Sequence, residues 1–262
     1  ITVTFNVSNN DVAFRYTFEG LKAQHIIINE EKTAFNLPKI STSFLSPQSN
    51  PLIGFARTKP SYEEDYKPDA PLTAKSGYGR GYTFPCFKVG GEGWVLVSET
   101  GTHGNYPGCH ISDYDANKGY QIALPMKEEG DGIGSNNAVF SLPGSTPWRT
   151  ITVGKDLKPL VETTIPYDVV EPRYEASQKY GVGKYAWSWL IWQDASCNYN
   201  DQKQFIDLAA TMGYEYVLVD ALWDTQIGRD KIAELSRYAQ GKGVSLMLWY
   251  NSNGITNDAP QG

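Results

Sequence analysis

The spacing of apolar residues changes its period partway along this chain, and that change restricts the fold more than any other feature. As far as Val153 the apolar runs are short and alternate with polar residues. In Val12-Ala-Phe-Arg-Tyr-Thr-Phe18, residues Val12, Phe14, Tyr16 and Phe18 share one side, which predicts a strand with that face buried and its opposite wet. Similar runs occur at His25–Asn29, Gly93–Ser98, Tyr120–Leu124 and Trp148–Val153, separated by Gly, Pro, Asn and Ser turns. Many strands at short spacing without intervening helices predict an antiparallel sandwich or barrel.

Beyond Lys184 the pattern becomes strand, then helix. Tyr185–Trp192 reads as a strand running into a loop, and Asp201–Met212 as a helix whose Phe205, Leu208, Ala209 and Met212 form one face. Gly213 stands where a left-handed stop belongs. Tyr214–Asp220 is nearly continuous in apolar residues, as expected of a parallel strand buried on both faces. A second helix over Asp230–Gln240 turns Ile232, Leu235 and Ala239 inward, and Val244–Trp249 follows as a third strand. The strand ends at Trp187, Asp220 and Trp249 are about 30 residues apart, one βα unit. This periodicity supports a parallel α/β fold without choosing between a closed barrel and an open sheet. Asp156–Tyr180, with Pro159, Pro166 and Pro172, reads as the connector, and the expected domains are 1–168 and 169–262.

Composition narrows the function classes. With 23 basic and 29 acidic side chains, a formal charge of −6 and no dense Lys/Arg cluster, nucleic acid is not an expected partner. No apolar run reaches the roughly 18 residues of a membrane helix. Cys86, Cys109 and Cys197 are odd in number, so at least one thiol stays unpaired within the chain, and their spacing lacks a zinc pattern. A Cys86–Cys109 disulfide is the pairing considered, and ordinary cores make it unnecessary. Aromatic residues reach 13%, with seven Trp and seventeen Tyr; rings with polar handles suit the C–H faces and hydroxyl edges of sugars, and they equally suit a β core. The chain starts as if inside a strand, without an initiator Met, and Asn257–Gly262 reads as an unfinished loop, so a partial chain is expected.

In a barrel, functional residues gather at the carboxyl ends of strands. Those positions hold Trp187, Trp189, Trp192 and Asp194, then Asp220, Trp223 and Asp224, then Trp249, Tyr250 and Asn251. Indoles beside hydroxyl acceptors are what pyranose recognition requires. The competing readings are that Trp187 and Trp249 fill a core, that Asp220 caps a helix or pairs with a Lys, and that Asp224 is an N-cap. His103 and His110 follow the strand Trp94–Ser98 and read as hydrogen-bonding residues. No nucleotide, zinc-protease or nucleophile-elbow signature is present.

Several segments together are recognisable. Tyr185-Ala-Trp-Ser-Trp189, Phe205–Ala210, Gly213–Asp220 and Leu222-Trp223 resemble the start of the catalytic barrel in glycoside hydrolase family 97. Asn10–Tyr16, Tyr62–Tyr66, Pro71–Thr73, Ser98-Glu99 and Thr146-Pro-Trp-Arg149 are similar to that family's amino-terminal sandwich. The resemblance implies a galactose-mutarotase-like β-sandwich followed by the first three βα units of a (β/α)8 barrel. It also implies a bacterial, periplasmic or secreted exo-acting α-glycosidase, either α-galactosidase or α-glucosidase, with an oligosaccharide substrate. Calcium is the implied cofactor, with Glu99 matching its ligand from the sandwich. Substrate contacts fall to Trp187, Trp189, Asp220, Trp223, Trp249 and Asn251. Inverting members place a Glu base after the third barrel strand; Trp249-Tyr-Asn-Ser-Asn253 holds no carboxylate there and looks more like the retaining branch. Both catalytic carboxylates are then expected beyond Gly262, and this portion alone is expected to be inactive. The alternatives are a non-catalytic carbohydrate-binding protein with a degenerate barrel, or a sandwich joined to an unrelated flavodoxin-like sheet. The missing phosphate-binding glycines argue against the last.

Overall fold

A computed structural model describes residues 1–20, 24–49, 66–84, 86–129 and 135–250; Asn251 and the Tyr62–Tyr66 motif up to Asp65 lie outside the described residues. The chain divides into two compact units, Ile1–Tyr174 and Glu175–Gly262, each described by itself below.

Unit 1 is built from antiparallel strands. They are β1 (Thr2–Val7), β2 (Asp11–Phe18), β3 (His25–Ile28), β4 (Ala34–Phe35), β5 (Ser41–Phe44), β6 (Ala70–Pro71) and β7 (Cys86–Val89). There follow β8 (Gly93–Thr100), β9 (His110–Ile111), β10 (Tyr120–Ala123), β11 (Ala138–Ser141), β12 (Gly144–Ser145) and β13 (Trp148–Gly154). The principal sheet runs β1-β2-β13-β8-β7-β5-β6, with β12 beside β2. A short sheet β4-β10-β9 packs on it through Phe35, Phe87, Val97, Ile111, Tyr120 and Ile122, and the ribbon β11-β3 meets Phe18 through Phe140 and Ala138. This is a sandwich, as the alternation predicts.

Two expectations need correction. The face of β2 opposite Phe14 and Tyr16 is not wet: Ala13 is fully buried there with Trp148 and Ile165. Helix α1 (Lys158–Glu162) packs against β13, and the cover over Ala13 comes from α2 (Ile165–Asp168); each helix has a proline in its first turn. The first part of the supposed connector is therefore part of unit 1's core, because Ile165, Val169 and Val170 need an apolar surface and the sheet supplies it. The Cys86–Cys109 disulfide, which the sequence reading holds unnecessary, is not formed; Cys109 is a free thiol.

Unit 2 holds three parallel strands, β14 (Tyr185–Trp187), β15 (Tyr216–Val219) and β16 (Ser245–Leu248), paired in sequence order. Between them lie α3 (Trp189–Trp192), α4 (Tyr199–Met212), α5 (Trp223–Gln226) and α6 (Arg229–Gly241). Three strands among the described residues establish βαβ units but not a closed barrel. Asn198 caps α4 by accepting from the Asp201 amide at 3.0 Å, and Gly213 ends it at φ +69°. The first strand is shorter than predicted because Ser188 is already in helical conformation, which turns the chain into α3.

Helix α6 buries Ile232, Leu235 and Ala239 as predicted. Helix α4 is rotated from its predicted face: Gln202, Phe205, Ile206 and Ala209 are buried, while Leu208 and Met212 are 43% and 56% exposed. Leu208→Gln and Met212→Gln should therefore each change stability by less than about 0.5 kcal/mol. Ile206→Val should cost about 0.5–1.5 kcal/mol, and chemical denaturation of the three variants checks the order.

Candidate functional site

The carboxyl ends of β14 and β15 bring two indoles and a carboxylate together. Because Ser188 bends the chain, Trp189 folds back on Trp187 and the rings stack, with centroids 5.4 Å apart and 20° between planes. The Trp187 indole N–H donates to Asp220 Oδ2 at 2.8 Å, and the Ala221 amide donates to Oδ1 at 2.6 Å. Asp220 is nearly buried, at 9% exposure, so its carboxylate locks the ring's orientation while each oxygen keeps lone pairs for a hydroxyl. Trp189 donates to the exposed Asp194 at 3.2 Å.

A buried polar set underlies the stack. Ser188 is fully buried between the two tryptophans in sequence, and its hydroxyl receives hydrogen bonds from Ser196 Oγ at 2.7 Å and Gln202 Nε2 at 2.9 Å. Gln202 also donates to the Ser196 carbonyl at 2.8 Å. The two loops after β14 and β15 each hold a non-glycine residue in left-handed conformation, Gln193 at φ 54° and Leu222 at φ 68°. Such positions cost on the order of 1–3 kcal/mol and persist where surrounding structure fixes a loop, often for function.

The remaining predicted residues divide. Trp223 is 3% exposed and belongs to unit 2's core, where its N–H holds the Trp249 carbonyl at 3.0 Å. Trp249 is half-buried, and its own amide donates to the Val219 carbonyl at 2.9 Å, extending the β15 and β16 pairing. Tyr250 packs edge-on against Trp223, Trp192 packs edge-on against Phe205, and Asp224 accepts from the Thr225 amide. Cys197 is buried beneath Asp220, and burial first, then the nearby acids, push its thiol up to about 12, so it stays protonated.

Unit 1 holds a second cluster, of which the sequence singled out Glu99 alone as a site residue. Arg149 is wholly buried, directly across the ladder from Glu99. Its guanidinium donates to Glu31 Oε1 at 2.9 Å and Oε2 at 2.6 Å, to Glu99 Oε2, and to the Cys109 thiol at 3.4 Å. Tyr106 donates to Glu31 at 2.8 Å and the Cys109 amide to Glu99 at 2.7 Å. Two carboxylates share one cation, and they fare differently. Burial raises Glu31, but hydrogen bonds and charge from Arg149, with Thr33 and Tyr106, outweigh it and hold the carboxyl below its ordinary value. At Glu99 burial prevails over Arg149 and the Cys109 amide, helped by repulsion from Glu31, and the carboxyl is pushed up. Cys109 is pushed up to about 12 by burial, and burial holds His110 down at about 4, hence neutral. His103 Nδ1 accepts from the Asn105 amide at 3.2 Å.

Calcium takes six to eight oxygen ligands. Among the described residues no group of three or more His, Cys, Asp or Glu is placed to hold a metal, and Glu99 already faces a guanidinium. These residues do not by themselves fit the implied ion, and no step below is routed through it.

Glu31, Tyr106 and the buried role of Arg149 eluded sequence reasoning because Glu31 and Arg149 are 118 positions apart. The one available signal was an arginine on the same side of an alternating strand as Ile151.

Against known proteins, the family model described as "Glycosyl-hydrolase 97 N-terminal" matches residues 1–172. The crystal structure of a beta-arabinopyranosidase is 53% identical, with a TM-score of 0.90, over 99% of this chain and 42% of that one. A probable retaining alpha-galactosidase of Streptomyces bingchenggensis is 27% identical over 93% of this chain and 36% of its own length. The retaining alpha-galactosidase of Bacteroides thetaiotaomicron is 25% identical over 98% and 43% respectively. The chain thus spans less than half the length of each of these relatives.

Proposed function

Because this chain belongs to glycoside hydrolase family 97, we infer that it forms part of an exo-acting, retaining glycosidase for galactose-configured pyranosides. The convergence of Trp187, Trp189 and Asp220 at the carboxyl edge of parallel strands is the observation that supports this reading. The stacked indoles offer an apolar face to the C–H side of a pyranose, and Asp220 offers acceptor lone pairs to a ring hydroxyl.

The relatives' names suggest one sugar shape. β-L-Arabinopyranose has the ring hydroxyls of α-D-galactopyranose and lacks only the hydroxymethyl group. One pocket can therefore serve alpha-galactosidases and a beta-arabinopyranosidase alike, with the space around C6 deciding between them. The 53% identity to the latter favours an arabinopyranoside as the preferred substrate.

In this reading unit 2 opens a (β/α)8 barrel, and the two catalytic carboxyl groups come from strands beyond Gly262. Retention needs them about 5–5.5 Å apart, one as nucleophile and one as acid/base. The role of the described residues is to bind the ring, orient it and keep Trp187 from rotating. The test is a complete gene product assayed on aryl α-galactoside and aryl β-L-arabinopyranoside, with the anomer of the first product followed by NMR. Retained product with faster arabinopyranoside cleavage is expected; inverted product, or cleavage of neither glycoside, rejects the reading.

A further inference from the structure

Helix α3, which carries one ring of the indole platform, is not held in place by packing. None of its four residues is buried, and Leu190 and Ile191 are exposed. The Trp189 indole meets only the exposed Asp194, at 3.2 Å, besides the Trp187 ring, and a hydrogen bond of that length in water orients a side chain weakly. Trp187, by contrast, sits in β14 with its N–H on the nearly buried Asp220. What sets Trp189 against Trp187 is therefore the conformation of the residue between them, Ser188.

Ser188, Ser196 and Gln202 are all fully buried. Gln202 lies on the inner face of α4 with Phe205, Ile206 and Ala209, and its amide nitrogen donates to Ser188 Oγ at 2.9 Å and to the Ser196 carbonyl at 2.8 Å. Ser196 Oγ lies 2.7 Å from both Ser188 Oγ and the Gln193 carbonyl. The set thus reaches the left-handed Gln193, at φ 54°, which precedes the Asp194 that receives Trp189. From one amide, hydrogen bonds run to both ends of α3. The Gln202 amide oxygen, however, is buried without a partner among the described residues, a cost that an apolar side chain of the same length would not carry. Neither acceptor depends on Gln202 alone: the Ser196 carbonyl also receives the Asn198 amide at 2.8 Å, and Ser188 Oγ also receives the Ser196 hydroxyl. Stability alone does not account for a glutamine here; the geometry it imposes on the turn does.

We propose that Gln202 is a positioning residue of the sugar platform: through Ser188 and the Ser196 carbonyl it fixes the turn between Trp187 and Trp189 and so holds the second indole nearly parallel to the first. The proposal rests on the reading of that platform as a pyranose site. Two rings 20° from parallel offer the C–H side of a sugar one broad apolar face; a Ser188 free to rotate would tilt Trp189 and shrink it. Gln202 is wholly buried and meets no ligand itself, so its loss should weaken sugar binding without touching the chemistry.

The experiment labels the seven tryptophans of the 262-residue chain with fluorine and assigns Trp148, Trp187, Trp189 and Trp223 by single replacement with Phe. Gln202→Met, close in length and helix preference, should shift or broaden the Trp189 resonance most and Trp187 less. Trp223, in the core of the same unit, and Trp148, in unit 1, should not move, and the urea midpoint should stay within about 0.5 M of the wild type. Ser188→Ala removes the receiving hydroxyl and should displace the same two resonances, and the double variant should add nothing to either single change. It also serves if Gln202→Met fails to fold. In the complete gene product Gln202→Met should raise KM about three- to tenfold, with kcat changed less than about twofold. Unmoved Trp187 and Trp189 resonances, equal movement of Trp223, additive effects in the double variant, or an unchanged KM would each overturn the proposal. A complete wild-type product that cleaves neither glycoside would instead reject the glycosidase reading, and the fluorine spectra would still decide what holds the stack.

Discussion

Arg149→Met is expected to destabilise unit 1 by about 3–5 kcal/mol, because it strands two buried carboxylates that share one guanidinium. The two partners should not be equivalent. Glu31 receives two N–H groups of Arg149 and the Tyr106 hydroxyl, so Glu31→Gln should cost roughly 2–3 kcal/mol in lost charge-assisted hydrogen bonds. Glu99→Gln leaves one cation on one carboxylate, and its amide oxygen still accepts from the Cys109 amide, so the cost should stay below about 1 kcal/mol.

The pH dependence follows the same asymmetry. Glu31 is held below its ordinary value of 4.5, so its stabilisation is complete above 4.5 and is lost as pH falls through the lower folded-state value. Glu99 is raised, so it acts in the opposite sense: folding loses free energy as pH rises from 4.5 through its folded-state value. Glu99→Gln should remove that second dependence, and Glu31→Gln the first. Urea unfolding of the variants at pH values from below to above the ordinary carboxylate range tests the order; a Glu99→Gln variant less stable than Glu31→Gln would refute the account of who owns the guanidinium.

The second large effect concerns the platform. On the proposed glycosidase reading, Trp187→Ala in the complete gene product should lower kcat/KM by roughly 100-fold, equivalent to about 2.7 kcal/mol of transition-state binding. It removes one of the two stacked rings and the donor that Asp220 holds. Trp189→Phe keeps an aromatic face and should cost only a few-fold, roughly 1 kcal/mol or less. Asp220→Asn should lie between, since an amide oxygen accepts one of the two N–H groups now bound and its NH2 accepts neither. Steady-state kinetics on both aryl glycosides decide the matter, with circular dichroism to establish that each variant is folded. A folded Trp187→Ala enzyme with unchanged kcat/KM would remove the platform from catalysis.

Much of the strand and helix pattern could be read along the chain because it is local. Alternation in Val12–Phe18 and Trp148–Val153, the apolar run before Asp220, and the spacing of Ile232, Leu235 and Ala239 each reflect one element against one core. The failures occurred where a second contact surface intervened. Helix α4 holds Leu208 and Met212, good core residues by type, yet buries Gln202 because Ser188 and Ser196 offer it hydrogen bonds inside. Both faces of β2 are covered because α2, more than 140 residues later, folds onto Ala13.

The candidate site shows the same division. That Trp187, Trp189 and Asp220 belong near strand ends was evident in the sequence. That Ser188 turns the backbone so that the two rings stack, and that Asp220 grips Trp187 by its indole nitrogen, required coordinates.

The sequence by itself determined the change from antiparallel to parallel construction, the βα spacing and the family, because hydrophobic period and short motifs are properties of neighbouring residues. Only the tertiary structure decided which charges meet. Glu31 and Arg149 lie 118 positions apart, and no local rule pairs them; burial in one interior does, since an unpaired charge there would be too costly to keep.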